Sequence, residues 1–131
     1  MTDKCKDRWM AEKNSEIATL RALWEGYQTG DEEKAEEFYT HGFCFDYVAA
    51  NTFRDQDEGY YRYQISWGGP SDEFRFFRDG RIEYWFMDWF DGHGEELTGS
   101  DRELMGEIKS FFEDCGSMDW DKAYELDEDN Q

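Results

Sequence analysis

Residues Tyr60–Phe90 read YYRYQISWGGPSDEFRFFRDGRIEYWFMDWF, and their pattern decides the fold. The stretch holds about half of the aromatic residues in under a quarter of the length. Asp79-Gly80, flanked by Phe74–Arg78 and Arg81–Phe86, predicts a two-residue hairpin loop, because Asp and Gly tolerate the positive φ of a type I′ turn. Upstream, Tyr61, Tyr63, Ile65 and Trp67 fall on one face of a strand, with Tyr60, Arg62, Gln64 and Ser66 on the other. Such period-two alternation of aromatic and β-branched residues marks a half-buried strand. Gly68-Gly69-Pro70-Ser71 breaks it, since proline has no N–H for a ladder. The next strand places Ile82, Tyr84, Phe86 and Phe90 on one face and Arg81, Glu83, Trp85, Met87 and Trp89 on the other. Three consecutive antiparallel strands follow, and either face of the last could meet the core, because both are aromatic.

Composition sets the frame. The 131 residues carry 33 acids against 14 bases, a formal charge of −19, with 19% aromatic residues. That aromatic content argues against disorder, and the length is enough for one domain, residues 1–131, with a core of its own. No apolar run approaches the ~20 residues of a membrane span, and the N-terminal stretch lacks the apolar segment of a secretory signal. Cys5, Cys44 and Cys115 are odd in number and widely spaced, which fits reduced thiols in a cytoplasmic protein. Charge is uneven: residues 1–30 are neutral, whereas residues 82–131 hold sixteen acids and three bases. Such a chain repels nucleic acid and anionic membranes and attracts basic proteins.

The flanks read as helices. Ile17, Leu20, Trp24 and Tyr27 recur at helical spacing within residues 9–28, with Lys13, Glu16, Arg21 and Glu25 outward and Gly30 at the end. Asp31 is a good N-cap for a second helix with Ala35, Phe38 and Tyr39 on its apolar face and His41-Gly42 at its end. Phe43–Val48 alternates as a strand, with helix continuation as the alternative. Ala49–Glu58 and Asp91–Glu96 read as loops. Ser100-Asp101-Arg102-Glu103 fits a capping box opening a helix with Leu104, Ile108, Phe111 and Cys115 as its stripe, closed by Gly116. The acidic tail from about 121 to 131 is expected to fray, Asp127–Gln131 above all. The order predicts an α+β domain: an antiparallel sheet of three to four strands around the central meander, with two N-terminal helices and one C-terminal helix on one face.

Catalytic motifs are sparse. The cysteines with His41 and His93 lack metal-ligand spacing, and His93 beside Asp91, Glu95 and Glu96 is read as solvated loop charge rather than a cation site. Cys44 on an alternating strand is read as packing rather than as a nucleophile. Glu83 and Asp88 are the most suggestive carboxylates, yet fall on opposite faces. No phosphate-binding glycine loop is present. The expectation is therefore a protein that is not an enzyme, with no cofactor and no metal.

The acidic run is the remaining feature. Asp88, Asp91, Glu95, Glu96, Asp101, Glu103, Glu107, Glu113 and Asp114 cluster in sequence. A solvated face that only confers solubility is the plain reading. The excess here is larger than solubility needs, and self-repulsion costs stability. Carboxylates repeated along a helix and loops imitate the phosphates of DNA. Trp85 and Trp89 supply either an apolar anchor beside that charge or core packing.

Phe45-Asp46-Tyr47-Val48, then Tyr61–Phe76 (YRYQISWGGPSDEFRF), then Glu83-Tyr84 and Asp88-Trp89-Phe90 resemble a family of small acidic proteins carried on plasmids, prophages and other mobile elements. The resemblance covers roughly residues 43–92 and implies a mobile-element setting, in which such proteins are often anti-restriction or anti-CRISPR inhibitors. It assigns no functional residue. The leading expectation is a non-enzymatic inhibitor in the host cytoplasm, binding a basic nucleic-acid-handling defence protein through the acids above, as a monomer or homodimer, with neither nucleic acid nor membrane as a direct partner. The alternatives are an immunity-type protein neutralising a basic toxin, and a metal-dependent enzyme using Asp88 and Asp91.

Overall fold

Aromatic residues at every second position build the centre of a five-stranded antiparallel sheet. The computed structural model describes residues 2–42, 44–66, 70–88 and 91–129, and their side chains except those of residues 2–5 and 91. The element order is α1 (Thr2–Thr29), α2 (Glu32–His41), β1 (Cys44–Val48), β2 (Tyr60–Ser66), β3 (Ser71–Phe76), β4 (Ile82–Asp88), β5 (Asp91–Glu96), α3 (Gly99–Asp114) and α4 (Trp120–Asp129). Strands lie in the sheet in sequence order, each antiparallel to the last. This corrects the expected architecture. Among the described residues there are five strands rather than three to four, and two C-terminal helices rather than one.

Register explains which face is core. Phe45, Tyr63, Phe74 and Tyr84 form one cross-strand row, and Tyr47, Tyr61, Phe76 and Ile82 the next. Phe74, Phe76, Ile82 and Tyr84 are fully buried, and they pack against Leu20, Leu104, Met105 and Ile108 of α1 and α3. The Ile82–Tyr84–Phe86 face of β4 therefore meets the helices, which resolves the ambiguity left by two aromatic faces. Cross-strand aromatic pairs of this kind are a main source of sheet stability.

Three local expectations change. The β3–β4 loop is not a two-residue I′ turn. Phe77 N–H donates to Arg81 O at 2.9 Å and Gly80 N–H to Phe77 O at 3.1 Å, and only Gly80, with φ +96°, is left-handed. That is a three-residue loop with glycine at its left-handed position, the next commonest hairpin solution. Residues 91–96 are a strand, not a loop. Their glycines are matched to bulky partners on β4: Gly94 lies opposite Trp85 and Gly92 opposite Met87. A Cβ on Gly94 would come 2.1 Å from the Trp85 indole, so the ring lies over the space that glycine leaves. Finally, α3 begins at Gly99 with Thr98 at the cap position and no side-chain capping bond, so the Ser100–Glu103 capping box does not form. The last stripe position, Cys115, is exposed rather than packed.

Other expectations hold. Asp31 caps α2, its carboxylate accepting from Lys34 N–H. Cys44–Val48 is a strand, and Phe43 lies outside the described residues. Helix α1 starts earlier than expected, and Ile17, Leu20 and Trp24 are buried as its spacing predicts.

The acidic tail is helical through Asp129 instead of frayed from 121. Trp120 packs edge-on against Tyr61 at 5.1 Å, and Ala123 is fully buried. Asp127 accepts from Tyr47 Oη at 2.8 Å and from Ala50 N–H at 2.8 Å, tying α4 to the end of β1. Burial and then this bond push the Tyr47 phenol well above its usual range. Asp127→Ala is expected to destabilise the fold by about 1–3 kcal/mol, because charged hydrogen bonds to half-buried donors are lost. Urea unfolding of the variant measures it, and a change within about 0.3 kcal/mol would mean that α4 is not docked through this residue.

A second tie joins α1 to α2. His41 Nε2 contacts Glu16 Oε1, and both side chains are largely covered. The bond to Glu16 raises the His41 pKa above 6.5, with burial opposing. Protonated His41 is thus favoured in the folded state. Its contribution is fully present below the unfolded value and lost as pH rises through the raised folded one. As pH rises from about 6.5, the wild type should lose stability that His41→Gln does not, in paired urea titrations. Equal pH profiles would contradict the pairing.

Candidate partner-binding surface

The neutrality of residues 1–30 has a structural purpose. Bases on α1 face acids that arrive late in the chain. Arg8 pairs with Asp88, Lys13 with Asp101 at 2.7 Å, and Arg21 donates to Ser100 O at 3.4 Å. Part of the acidic run is therefore neutralised within the fold. The backbone of Asp91 lies opposite that of Asp88 in the β4–β5 ladder, and Arg8 offsets the Asp88 charge. Among the described residues no group of three or more His, Cys, Asp or Glu side chains is arranged to hold a metal ion. His93 is not a solvated loop residue: its ring packs edge-on against Trp9 at 5.4 Å, and its Nε2 lies 2.7 Å from Glu95. That contact holds the Glu95 carboxyl below its usual range.

Of the remaining acids, Glu113 accepts from Trp120 Nε1 at 3.0 Å and lies 3.5 Å from Lys109. Glu96, Glu103, Glu107 and Asp114 are exposed and make no ion pair among the described residues. Three of these share α3, where Glu103, Glu107, Ser110 and Asp114 recur at spacings of four, three and four and form its outer stripe. The stripe spans about 16 Å of helix axis and carries three charges. One strand of B-DNA carries a phosphate every ~3.4 Å of axis, so the stripe has the density of roughly every second phosphate.

Trp85 does not join this surface. It lies on the sheet face turned away from the helices, its Nε1 donating to Glu83 at 2.8 Å. The Arg75 guanidinium sits over its ring at 4.3 Å and over Tyr60 at 4.7 Å. Trp85 is thus held beneath a cation on the far face, rather than beside the α3 acids. Trp89 lies outside the described residues. The 49–59 loop covers part of this far face and walls one side of an open cavity of about 470 Å³ over Tyr60, Arg75, Arg81 and Trp85. Two of its three arginines are already paired, Arg75 with Glu73 at 2.7 Å and Arg81 with Glu58 at 2.6 Å. Asp55, Asp57, Glu58 and Glu83 line the same space as the third, Arg54, so no surplus positive charge is left there for an anion.

A feature missed from the sequence lies on the helix-covered face, beside β1. An open cavity of about 620 Å³ is walled by Tyr27, Phe38, Tyr39, Phe111, Phe112 and Phe45. The signal was present in Phe38-Tyr39 of α2 and Phe111-Phe112 of α3, adjacent aromatics too wide for a single core stripe. Tyr39 remains 62% exposed.

No family model, no curated protein and no solved structure matches the chain. Among the described residues no helix is long and apolar enough to cross a membrane.

Proposed function

We propose that the protein is a non-enzymatic acidic inhibitor from a mobile element. It binds a basic nucleic-acid-handling host protein, a CRISPR or restriction complex, and occupies the channel meant for nucleic acid. The observation that carries this reading is the outward stripe of Glu103, Glu107 and Asp114, left unpaired among the described residues while Arg8, Lys13, Arg62, Arg75, Arg81 and Lys109 are all held in internal ion pairs. With these bases paired inside the fold and a formal charge of −19 over the chain, the field reaching a partner is that of the carboxylates. Glu96 adds a fourth charge from β5. Asp88, Glu95, Asp101 and Glu113 serve the fold rather than the partner.

The partial phosphate density sets the strength of the effect. With three contacts the binding constant should fall with salt at a log–log slope of about −2.7, or about fortyfold between 50 and 200 mM salt. Measuring affinity for a captured basic partner over that range tests the reading. A slope near zero would remove charge mimicry as the mechanism.

A further inference from the structure

We infer that the aromatic cavity between α2, β1 and α3 is a receptor for a cationic side chain, an arginine presented by the basic partner. The inference rests on the function proposed above and names a second contact, at the C-terminal end of the α3 stripe. Its walls include the rings of Tyr27, Phe38, Tyr39 and Phe111, which lie 5.3–6.2 Å apart centre to centre as four mutually touching faces and edges. Phe45 and Phe112, 4.6 Å apart, continue the wall. No charged side chain lines the space. A purely apolar ligand would suit such a wall, but the surroundings select for positive charge.

Two features supply that selection. The residues that cap the C-termini of α2 and α3, Gly42 and Cys115, both line the cavity. The negative ends of two helix dipoles therefore converge on it, and each favours a cation near its last turn. Acids also stand one helical turn from two of the lining rings. Glu36 lies one turn before Tyr39, and Asp114 one turn after Phe111, and both are exposed. No charged side chain lines the space, and His41 in the last turn of α2 is held by Glu16, so a guanidinium over these aromatic faces gains the quadrupole term and the dipole terms of the helix ends. The exposed Tyr39 ring is the face such a side chain would cover.

The test uses three short peptides, identical except for arginine, citrulline or leucine at one central position, with the full-length protein. Cys115 borders the cavity and is exposed, so its alkylation by iodoacetamide, followed by peptide mass spectrometry, reports occupancy. A single caged side chain should bind in the millimolar range, so about 5 mM arginine peptide should slow Cys115 labelling by at least about threefold. Citrulline, the neutral isostere, should not. Tyr39→Ala should abolish protection, whereas Tyr39→Phe, which keeps the ring, should retain it. Equal protection by citrulline or leucine, no protection by arginine, or protection that survives Tyr39→Ala would each overturn the inference. Changing Glu103 and Glu107 to lysine, with Asp114 kept, should leave peptide protection in place while weakening partner capture. Partner capture that remains salt-sensitive while the arginine peptide fails would remove this site and leave the proposed function standing.

Discussion

Changing Glu103, Glu107 and Asp114 together to lysine is expected to cut capture of a basic nucleic-acid-binding partner by at least about a hundredfold, since three attractions become repulsions at the same points. The fold should be unaffected. All three side chains are exposed on the outer stripe of α3, and replacing acids relieves the self-repulsion of a chain at −19. The corresponding glutamine triple variant should fall between wild type and the lysine variant, because it removes attraction without adding repulsion. Equilibrium binding at about 100 mM salt separates the three. Retention of full affinity by the lysine variant would show that this stripe is only a solvated surface. The same changes at Asp88 and Asp101 should act differently, weakening the fold through Arg8 and Lys13 before any effect on binding.

Phe74→Ala is expected to give the largest loss of stability of any single change named here, about 3–5 kcal/mol. Phe74 has no exposed surface and stands on β3, between β2 and β4. Its ring lies 4.9 Å from Tyr84 and 6.3 Å from Tyr63. Truncation leaves a cavity between two side chains that are themselves fixed. Tyr84 Oη donates to Asp72 at 2.6 Å, and its phenol is held far above its usual range first by burial and then by that bond. Collapse around the deletion is therefore restricted, which places the cost toward the upper part of the range. The urea midpoint should fall by about 2 M for a protein of this size. A loss under about 1 kcal/mol would contradict the placement of β3 at the centre of the core.

The central hairpins were legible because their signal is local. Alternation in Ile82–Asp88 survives into the structure, since one face of that strand meets helices and the other does not, whereas in Tyr60–Ser66 both faces are covered, Tyr60 packing with Val48 and Phe77 on the far side. β5 was not legible. Asp91–Glu96 contains two glycines and no apolar residue, and only its register opposite Met87 and Trp85 makes those glycines useful. That is a tertiary fact, invisible in the stretch itself. The hairpin at Asp79-Gly80 was located correctly but given the wrong turn, because Gly80 alone takes positive φ and Phe77 closes the loop. α4 was masked by its charge. Its docking depends on Trp120, Ala123 and Asp127, three residues whose partners lie in β1, in β2 and in the loop after β1.

The acidic surface was half legible. Counting charges found the excess, but could not tell which acids face α1. Arg8, Lys13 and Arg21 are spaced five and eight residues apart, so no linear pattern links them to Asp88, Asp101 or the start of α3. Trp85 was the reverse case. Its sequence neighbourhood placed it near the acids, and the alternation of β4 carries it to the other side of the sheet, under Arg75.

The most direct measurement is capture from a host lysate on the immobilised protein, in parallel with the Glu103, Glu107 and Asp114 lysine variant, eluted by stepwise salt and then by duplex DNA. The account predicts one nucleic-acid-handling complex that is retained by the wild type at about 50 mM salt, is released by salt or competing DNA, and is absent from the variant. Identical recovery on both proteins, or release that ignores salt and DNA, would contradict it.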